Sequence, residues 1–276
     1  MSDLSPQNFE LLAEFLRKES GIVLKPEKAY TLRSKLQPLA QKWGYQSLDD
    51  LVSHVYRERH NPDVVDAILN ALTIKETSFF RDQKPFEVLR RHVLPELAER
   101  RGSNELKLWS AACSTGQEAI SLAIALYEAL GEDALNRSQI VGTDVSKEAI
   151  LKAKEGVFSD LEMKRGVDPE VRKRYFQPEG EGWRPNPELL RPVRFREMNL
   201  LEPDYPLPRF DVVLCRNVLI YSDEAGKQKA LKEVRSRLAD DGYLFTGAGE
   251  DAQRVDSHFK RERIEGVQCF RKQPAQ

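Results

Sequence analysis

Residues 106–126 read LKLWSAACSTGQEAISLAIAL. A short apolar run over 106–112 passes through a loop of small residues into a longer apolar pattern over 116–130. Strand, tight turn and helix in that order form the first half of a βαβ unit, and such units build parallel sheets covered by helices. The alternation continues downstream. Further strand candidates are QIVGTDV (139–145), VRFREMN (193–199), FDVVLCRNV (210–218) and GYLFTGA (242–248), with helix candidates at 146–155 and 223–239. FKRERIEG and VQCFRKQ read as a closing hairpin. The stretch 156–192, rich in charge, glycine and proline, reads as an insertion. The expected class is α/β, with a Rossmann-like, mostly parallel sheet and helices on both faces.

Upstream the pattern is helical. Ser5 and Pro6 suit an N-cap and first helical position, Phe9, Leu12, Ala13 and Leu16 follow at helical spacing, and Gly21 supplies a stop. A second helix is expected from about Glu27 to Trp43, a third from Ser47 with Leu48, Leu51, Val52 and Val55 inward, and a fourth from Asn61-Pro62 with Val65, Ile68, Leu69 and Leu72 inward. The sequence KETSFFRD (75–82) then precedes a helix over 85–101, where Pro95 predicts a kink or split. The expected division is a helical domain at 1–74, a connector at 75–102, and a cofactor domain at 103–276 carrying the insertion.

Composition narrows the function. Lysine plus arginine (43) nearly balances aspartate plus glutamate (44), for a net charge of −1, which argues against a general nucleic-acid binder. Cys113, Cys215 and Cys269 form no CxxC pair, and His54, His60, His92 and His258 form no HExxH, so neither a disulfide framework nor a metal is expected. MSDLSPQNFE shows no secretory pattern and no apolar run is long enough to cross a bilayer, so a cytoplasmic protein without membrane insertion is expected.

Ligands of open α/β sheets bind beyond the carboxyl ends of the strands. The first such end, WSAACSTGQEA, has one glycine instead of GxGxxG, and Ser114 or Thr115 is placed to cap the next helix. Glu118 stands where a dinucleotide puts its pyrophosphate, and like charges there are costly. S-adenosylmethionine has no phosphate; its sulfonium and ammonium groups attract a carboxylate. The alternative for Glu118 is simple favour toward the helix dipole. Asp144 in GTDVS suits ribose hydroxyls, with Ser146 free to cap the next helix. Asn199 and Leu200 suit an adenine edge and face, or an ordinary turn. Arg216 and Asn217 are unusual after an apolar run, and Tyr221 follows one helical turn later. Cys215 reads better as a core residue than as a nucleophile.

Together these strings resemble the chemotaxis receptor methyltransferases, the CheR family, over nearly the whole chain. KETSFFRD, WSAACSTGQEAISLAIAL, GTDVS, RYF (174–176), MNLLEPDYP, FDVVLCRNVLIYSD and DDGYLFTGAGE carry the resemblance. It implies methyl transfer from S-adenosylmethionine, with S-adenosylhomocysteine as product, to glutamate side chains of chemoreceptors. Thr77, Arg81, Glu118, Asp144, Asn199, Leu200, Arg216 and Asn217 would bind the cofactor, and Arg81 and Tyr221 would flank the methyl group and the incoming carboxylate. The partner implied is the cytoplasmic helical domain of chemoreceptors, met by a monomer; Lys28, Arg33, Lys35 and Lys42 of the second helix are the candidate contacts. The insertion would be the small β-rich subdomain that docks a receptor tail in some members. Four features depart from the family: Lys75 stands for Asn, Gly249 for Ser, Ser222 for Phe, and the segment between Phe176 and Val193 is short. The competing readings are a methyltransferase of another substrate, a non-catalytic cofactor-binding adaptor, and a nicotinamide dehydrogenase.

Overall fold

A computed structural model of the protein describes residues 4–201 and 206–273, without the side chains of Lys28 and Ala29; residues 202–205 of the MNLLEPDYP string lie outside it. Four helices come first: α1 Pro6–Ser20, α2 Ala29–Lys42, α3 Leu48–Arg57 and α4 Pro62–Leu72. Ser5 caps α1 by accepting the Asn8 N–H, Gly21 closes it at φ +73°, and Ser47 and Asn61 cap α3 and α4. Leu12, Leu16, Leu36, Leu51, Ile68 and Leu72 close a core of the bundle's own. Two readings shift. The second helix starts later because 26–28 forms a 3₁₀ turn at Pro26, and α4 turns Val64 inward, in line with Ile68 and Leu72, while Val65 is only half-buried.

The connector contains α5 Lys84–Val88, a π-helical turn over Leu89–Val93, and α6 Leu94–Arg101. Pro95 has no N–H, and its ring would collide with the carbonyl four residues back. The turn before it is widened by one residue, with the Leu94 N–H bonding Leu89 O. Such a bulge carries a proline without breaking the helix.

Then follow β1 Leu106–Ala111, α7 Gln117–Leu130, α8 Glu132–Asn136, β2 Ser138–Asp144 and α9 Lys147–Glu155. The insertion holds β3 Phe158–Ser159, α10 Asp160–Lys164, α11 Pro169–Tyr175, β4 Phe176–Glu179, β5 Gly182–Pro185 and α12 Pro187–Leu190. The chain closes with β6 Val193–Glu197, β7 Phe210–Cys215, α13 Glu224–Arg237, β8 Leu238–Thr246, α14 Ala252–Val255, β9 Phe259–Ile264 and β10 Val267–Lys272. The main sheet runs β6-β2-β1-β7-β8-β10-β9. Its first five strands are parallel; β10 is antiparallel to β8 and to β9. The expected hairpin is there, turning at Glu265 and Gly266 with φ of +48° and +81°, the positive pair a tight hairpin turn requires. The outer strands, β6 and β9, carry the exposed charges Arg194, Arg196, Lys260, Arg261 and Arg263.

Helices cover both faces, α5, α6 and α7 on one side and α13 and α14 on the other. The insertion forms a second sheet, β3-β5-β4, antiparallel throughout. It shares a core with the main sheet, because Phe158, Met163, Tyr175 and Phe176 pack in the same cluster as Ile120 of α7 and Phe79 of the connector. Strand order reverses between β1 and β7, which opens a crevice at their carboxyl ends.

Candidate active site

The loop joining β1 to α7 has little freedom. Ala112, Ser114 and Gly116 all have positive φ (+62°, +51° and +98°), so the chain bends sharply around the end of the strand. A Cβ on Gly116 would lie 3.0 Å from Ala153 and from Phe195. Neither expected cap forms: Gly116 is the N-cap, the Ser114 hydroxyl donates to Lys75 O (3.0 Å), and the Thr115 hydroxyl donates to Gln117 Oε1 (2.8 Å). The Ser114 side chain thus joins this loop to the connector.

Four other segments meet it. Thr77 and Arg81 come from the connector, Asp144 from the end of β2, Asn199 and Leu200 from beyond β6, and Arg216, Asn217 and Tyr221 from beyond β7. With Glu118 of α7 they line one cleft of about 900 Å³, counted out to its open mouth. The bundle closes one side with Ser20, Ile22, Thr73 and Ile74, which carry no motif that would place them there. The bundle is fastened there: Val23 N–H donates to Tyr221 O (2.8 Å), Ile22 pairs with Ser222, Arg17 bonds Asp223 (2.7 Å), and the Ser146 hydroxyl donates to Asn70 of α4 (2.7 Å).

The two phenylalanines of KETSFFRD seat the connector. Phe79 is fully buried, edge-on to Phe158 (4.9 Å) and Phe176 (5.2 Å), and Phe80 packs edge-on against Phe86 (5.5 Å). Positive φ at Phe80, Asp82 and Gln83 then turns the chain sharply around Arg81. Arg81 donates to Glu76 O (3.2 Å). Lys75, the departure from the family's Asn, bonds Glu148 of α9 (2.6 Å), so it ties this segment to α9.

Arg216 is a deeply enclosed charge. Its side chain is 1% exposed and bonds Glu118 (3.0 Å), Asp82 (2.6 Å) and Arg81 O (2.6 Å). Glu118 also accepts the Ser110 hydroxyl (2.7 Å). Glu118 is therefore not the free carboxylate of the sequence argument; its charge is shared with a guanidinium. Asp144 is likewise engaged, accepting the backbone N–H groups of Ser114 (2.8 Å) and Ser146 (2.9 Å), while Ser146 also caps α9 as expected. Neither carboxylate has all its acceptor positions filled by these bonds, so both can still accept from a ligand. The Asn199 amide donates to Glu19 O and accepts the Leu201 N–H (3.0 Å), which leaves one amide hydrogen for an adenine edge where the sequence suggested a whole amide.

Among the described residues, two buried side-chain polar atoms lack a hydrogen-bond partner, Arg216 Nε and Asn217 Oδ1, and both residues line this cleft. Unpaired buried polar groups are costly, and a polar ligand offers them partners. The lining also sets three carboxylates, Glu76, Glu118 and Asp144, against two guanidinium groups, Arg81 and Arg216. That balance suits a cationic, phosphate-free adenosine compound. Cys113 and Cys215 are buried and burial pushes both thiols up, which fits core residues rather than nucleophiles.

Burial raises the pKa of Glu118, against the opposing pull of Arg216 and Ser110, and burial likewise raises Asp144 against its backbone hydrogen bonds. Two opposite pH dependences follow. A raised folded-state pKa contributes stability below the unfolded value and loses it as pH rises through the folded value, so these groups stabilise the free protein on the acid side. Binding a cation needs them ionised. Affinity for S-adenosylmethionine will therefore fall on acidification from neutrality, beginning above the ordinary carboxylate range. Calorimetric titrations between pH 8 and pH 5 check this, and Glu118→Gln should flatten part of the slope; a flat profile in the parent would refute it.

Comparison with known proteins gives the family. The family model described as CheR methyltransferase, SAM binding domain, matches residues 75–267, and the CheR methyltransferase all-alpha domain matches residues 7–73. Chemotaxis protein methyltransferase 1 of Pseudomonas aeruginosa is 40% identical over 95% of this chain and 94% of its own. Chemotaxis protein methyltransferase Cher2 of Pseudomonas putida is 38% identical over 95% and 94%, and the chemotaxis protein methyltransferase of Vibrio anguillarum is 37% identical over 94% of each. The cofactor is S-adenosylmethionine and the activity is methyl transfer in chemotaxis. The chain belongs to the CheR methyltransferase family.

Proposed function

We propose that the protein methylates glutamate side chains on the cytoplasmic helical domain of chemoreceptors, and that it works in the cytoplasm. The observation that carries the reading is the make-up of the cleft. Arg81 and Tyr221 share it with Glu118 and Asp144, whose carboxylates are already tied to protein donors. Such a site suits an acceptor that is a nucleophile as it stands. A glutamate carboxylate is ionised at neutral pH and needs no general base. An amine or hydroxyl acceptor would need one.

Asp144 would hold the ribose, Leu200 would pack on the adenine, and Glu118, Arg216, Asn217 and Thr77 would hold the amino-acid end. When bound, S-adenosylmethionine supplies a methyl group on a cationic sulfur. Arg81 orients the incoming carboxylate by a charged hydrogen bond, without the close grip that would quench its nucleophilicity. Tyr221 supports that orientation, and the bundle side of the cleft excludes water.

The bundle, residues 1–74, would meet the receptor helices. Arg33 and Lys42 are on the exposed surface of α2. Lys35 is half-buried and donates to Leu72 O at the end of α4 (3.1 Å), so it fastens the bundle as well. The side chain of Lys28 lies outside the described residues. The domain 103–276 would carry the chemistry, joined to the bundle by the 75–102 connector. No helix of the described residues is long and apolar enough to cross a membrane.

The test uses radiolabelled S-adenosylmethionine and chemoreceptor-containing membranes. Label on a receptor-sized band, released as methanol by mild base, identifies a carboxyl methyl ester; base-stable label would rule out glutamate. In the same assay Arg81→Ala should lower kcat about 100-fold or more, the usual scale for a lost charge-orienting donor. Unchanged turnover and cofactor affinity in that variant would remove Arg81 from the mechanism.

A further inference from the structure

The sequence GAGED beyond β8 was noted for Gly249, yet Gly249 has nothing within 4 Å of where a Cβ would stand. The acid beside it is different. Glu250 is 5% exposed and turns back toward the end of β7. Its Oε2 accepts the N–H groups of Asn217 (2.8 Å) and Gly247 (2.7 Å), and its Oε1 accepts that of Ile220 (3.1 Å). Its own carbonyl accepts the Thr246 hydroxyl (2.6 Å) and the Gln268 amide (3.1 Å), which fixes it to β8 and β10. Gly247 leaves the carboxylate room, since a Cβ there would lie 2.7 Å from Glu250 Oε2 and 3.0 Å from Asn217 N.

The segment held this way is the one that supplies Arg216, Asn217 and Tyr221 to the cleft. It leaves β7 at Cys215, three residues short of the strand expected over 210–218, and Asn217 takes φ +58°. Asparagine tolerates that region, but the conformation persists only where neighbouring contacts impose it. Two of the three amides Glu250 accepts lie in this segment, one of them that of Asn217 itself. We propose that Glu250 is a positioning residue: its buried carboxylate holds the 216–221 turn so that Asn217 and Tyr221 face the cofactor and the acceptor. The assignment rests on the reading of those two residues as site residues. Glu250 touches neither ligand and acts through the turn.

Glutamine keeps the shape of the side chain but sets an N–H₂ against at least one backbone N–H. Loss of one charge-assisted hydrogen bond is about a tenfold effect on an equilibrium. Glu250→Gln should therefore bind S-adenosylhomocysteine about tenfold more weakly by calorimetry, and its kcat at saturating cofactor should also fall about tenfold. Glu233→Gln is the comparison: Glu233 is also buried, bonds Arg237 and Ser236 within α13, and lies outside the cleft. It should lower the thermal midpoint while affinity and kcat stay within about twofold. Should Glu250→Gln fail to fold, Gly247→Ala displaces the same carboxylate with its charge intact and should give the same losses. Parental affinity and kcat in Glu250→Gln or Gly247→Ala would overturn the proposal, as would equal losses in Glu233→Gln. Asn217→Ala separates the two levels. If it loses affinity while Glu250→Gln keeps it, positioning is wrong and the site reading stands; if Asn217→Ala itself binds normally, the site reading fails and the positioning role with it.

Discussion

Gly166→Ala will destabilise the protein by about 3 kcal/mol, a fall of roughly 10 °C in thermal midpoint for a chain of this size. Gly166 follows α10 and has φ +127°, where any side chain is strained. A Cβ there would also stand 2.0 Å from Phe79 O and 3.0 Å from Phe79 C. Backbone cannot yield as a flexible side-chain tip does. Phe79 cannot retreat either, since its ring is wedged between Phe158 and Phe176. Relief must come from moving the insertion off the connector, and Arg81 lies only two residues beyond Phe79. Activity should therefore fall further than the loss of folded protein explains. Gly249→Ala, which meets nothing, should leave both midpoint and turnover unchanged. Scanning calorimetry on the two variants decides the matter; similar midpoints would show that the close approach at Gly166 is not a constraint.

Arg216→Met should have an effect of similar or larger size, about 3–5 kcal/mol, with loss of measurable cofactor affinity. Removing one member of a buried ion pair leaves the other uncompensated, and that is the costly outcome. Here the member left behind is Glu118, whose side chain is 11% exposed. The bond to Asp82 contributes less, because that carboxylate is half-exposed and screened by water. Arg216 is also the main group pulling the Glu118 pKa down against burial, so the variant's Glu118 should take up a proton at higher pH than the parent's. Pairing Arg216→Met with Glu118→Gln removes the stranded charge. The double variant should unfold at higher denaturant than Arg216→Met alone, and strict additivity of the two losses would show that the pair does not act as a unit.

The parts of the fold legible in the sequence were those governed by local chemistry. Caps at Ser5, Ser47, Asn61 and Ser146 work through bonds spanning only two or three residues, and each could be read from its neighbours. Central strands such as β7 are buried along their whole length because both faces are covered, and β7 is apolar apart from Asp211, which Arg101 pairs. The end of β7 was misjudged because Val218 resumes the apolar pattern after Arg216 and Asn217, while the carboxylate that accepts the Asn217 N–H, Glu250, lies 33 residues away. Likewise all nine candidate residues line one cleft, yet their hydrogen bonds could not be foreseen. Whether Glu118 is free or paired depends on Arg216, 98 residues distant, and the partner of the Asn199 amide is a carbonyl on α1. A signal for Glu250 did exist: an acidic residue four positions past the last parallel strand, at the ligand-binding end of the sheet.

The exposed arginines and lysine of β6 and β9 bear on a different matter, the crowding of this protein in a cell. An open sheet ends in two unpaired rows of backbone groups, and each is a template on which a second sheet can grow. Here both margins carry an excess of positive charge, with Glu197 on β6 and Glu262 on β9 offsetting part of it. Two copies approaching margin to margin would bring like charges together before any backbone bond could form. Charge at the margins thus disfavours growth of a second sheet on either edge, a safeguard that lies away from the chemistry of the cleft.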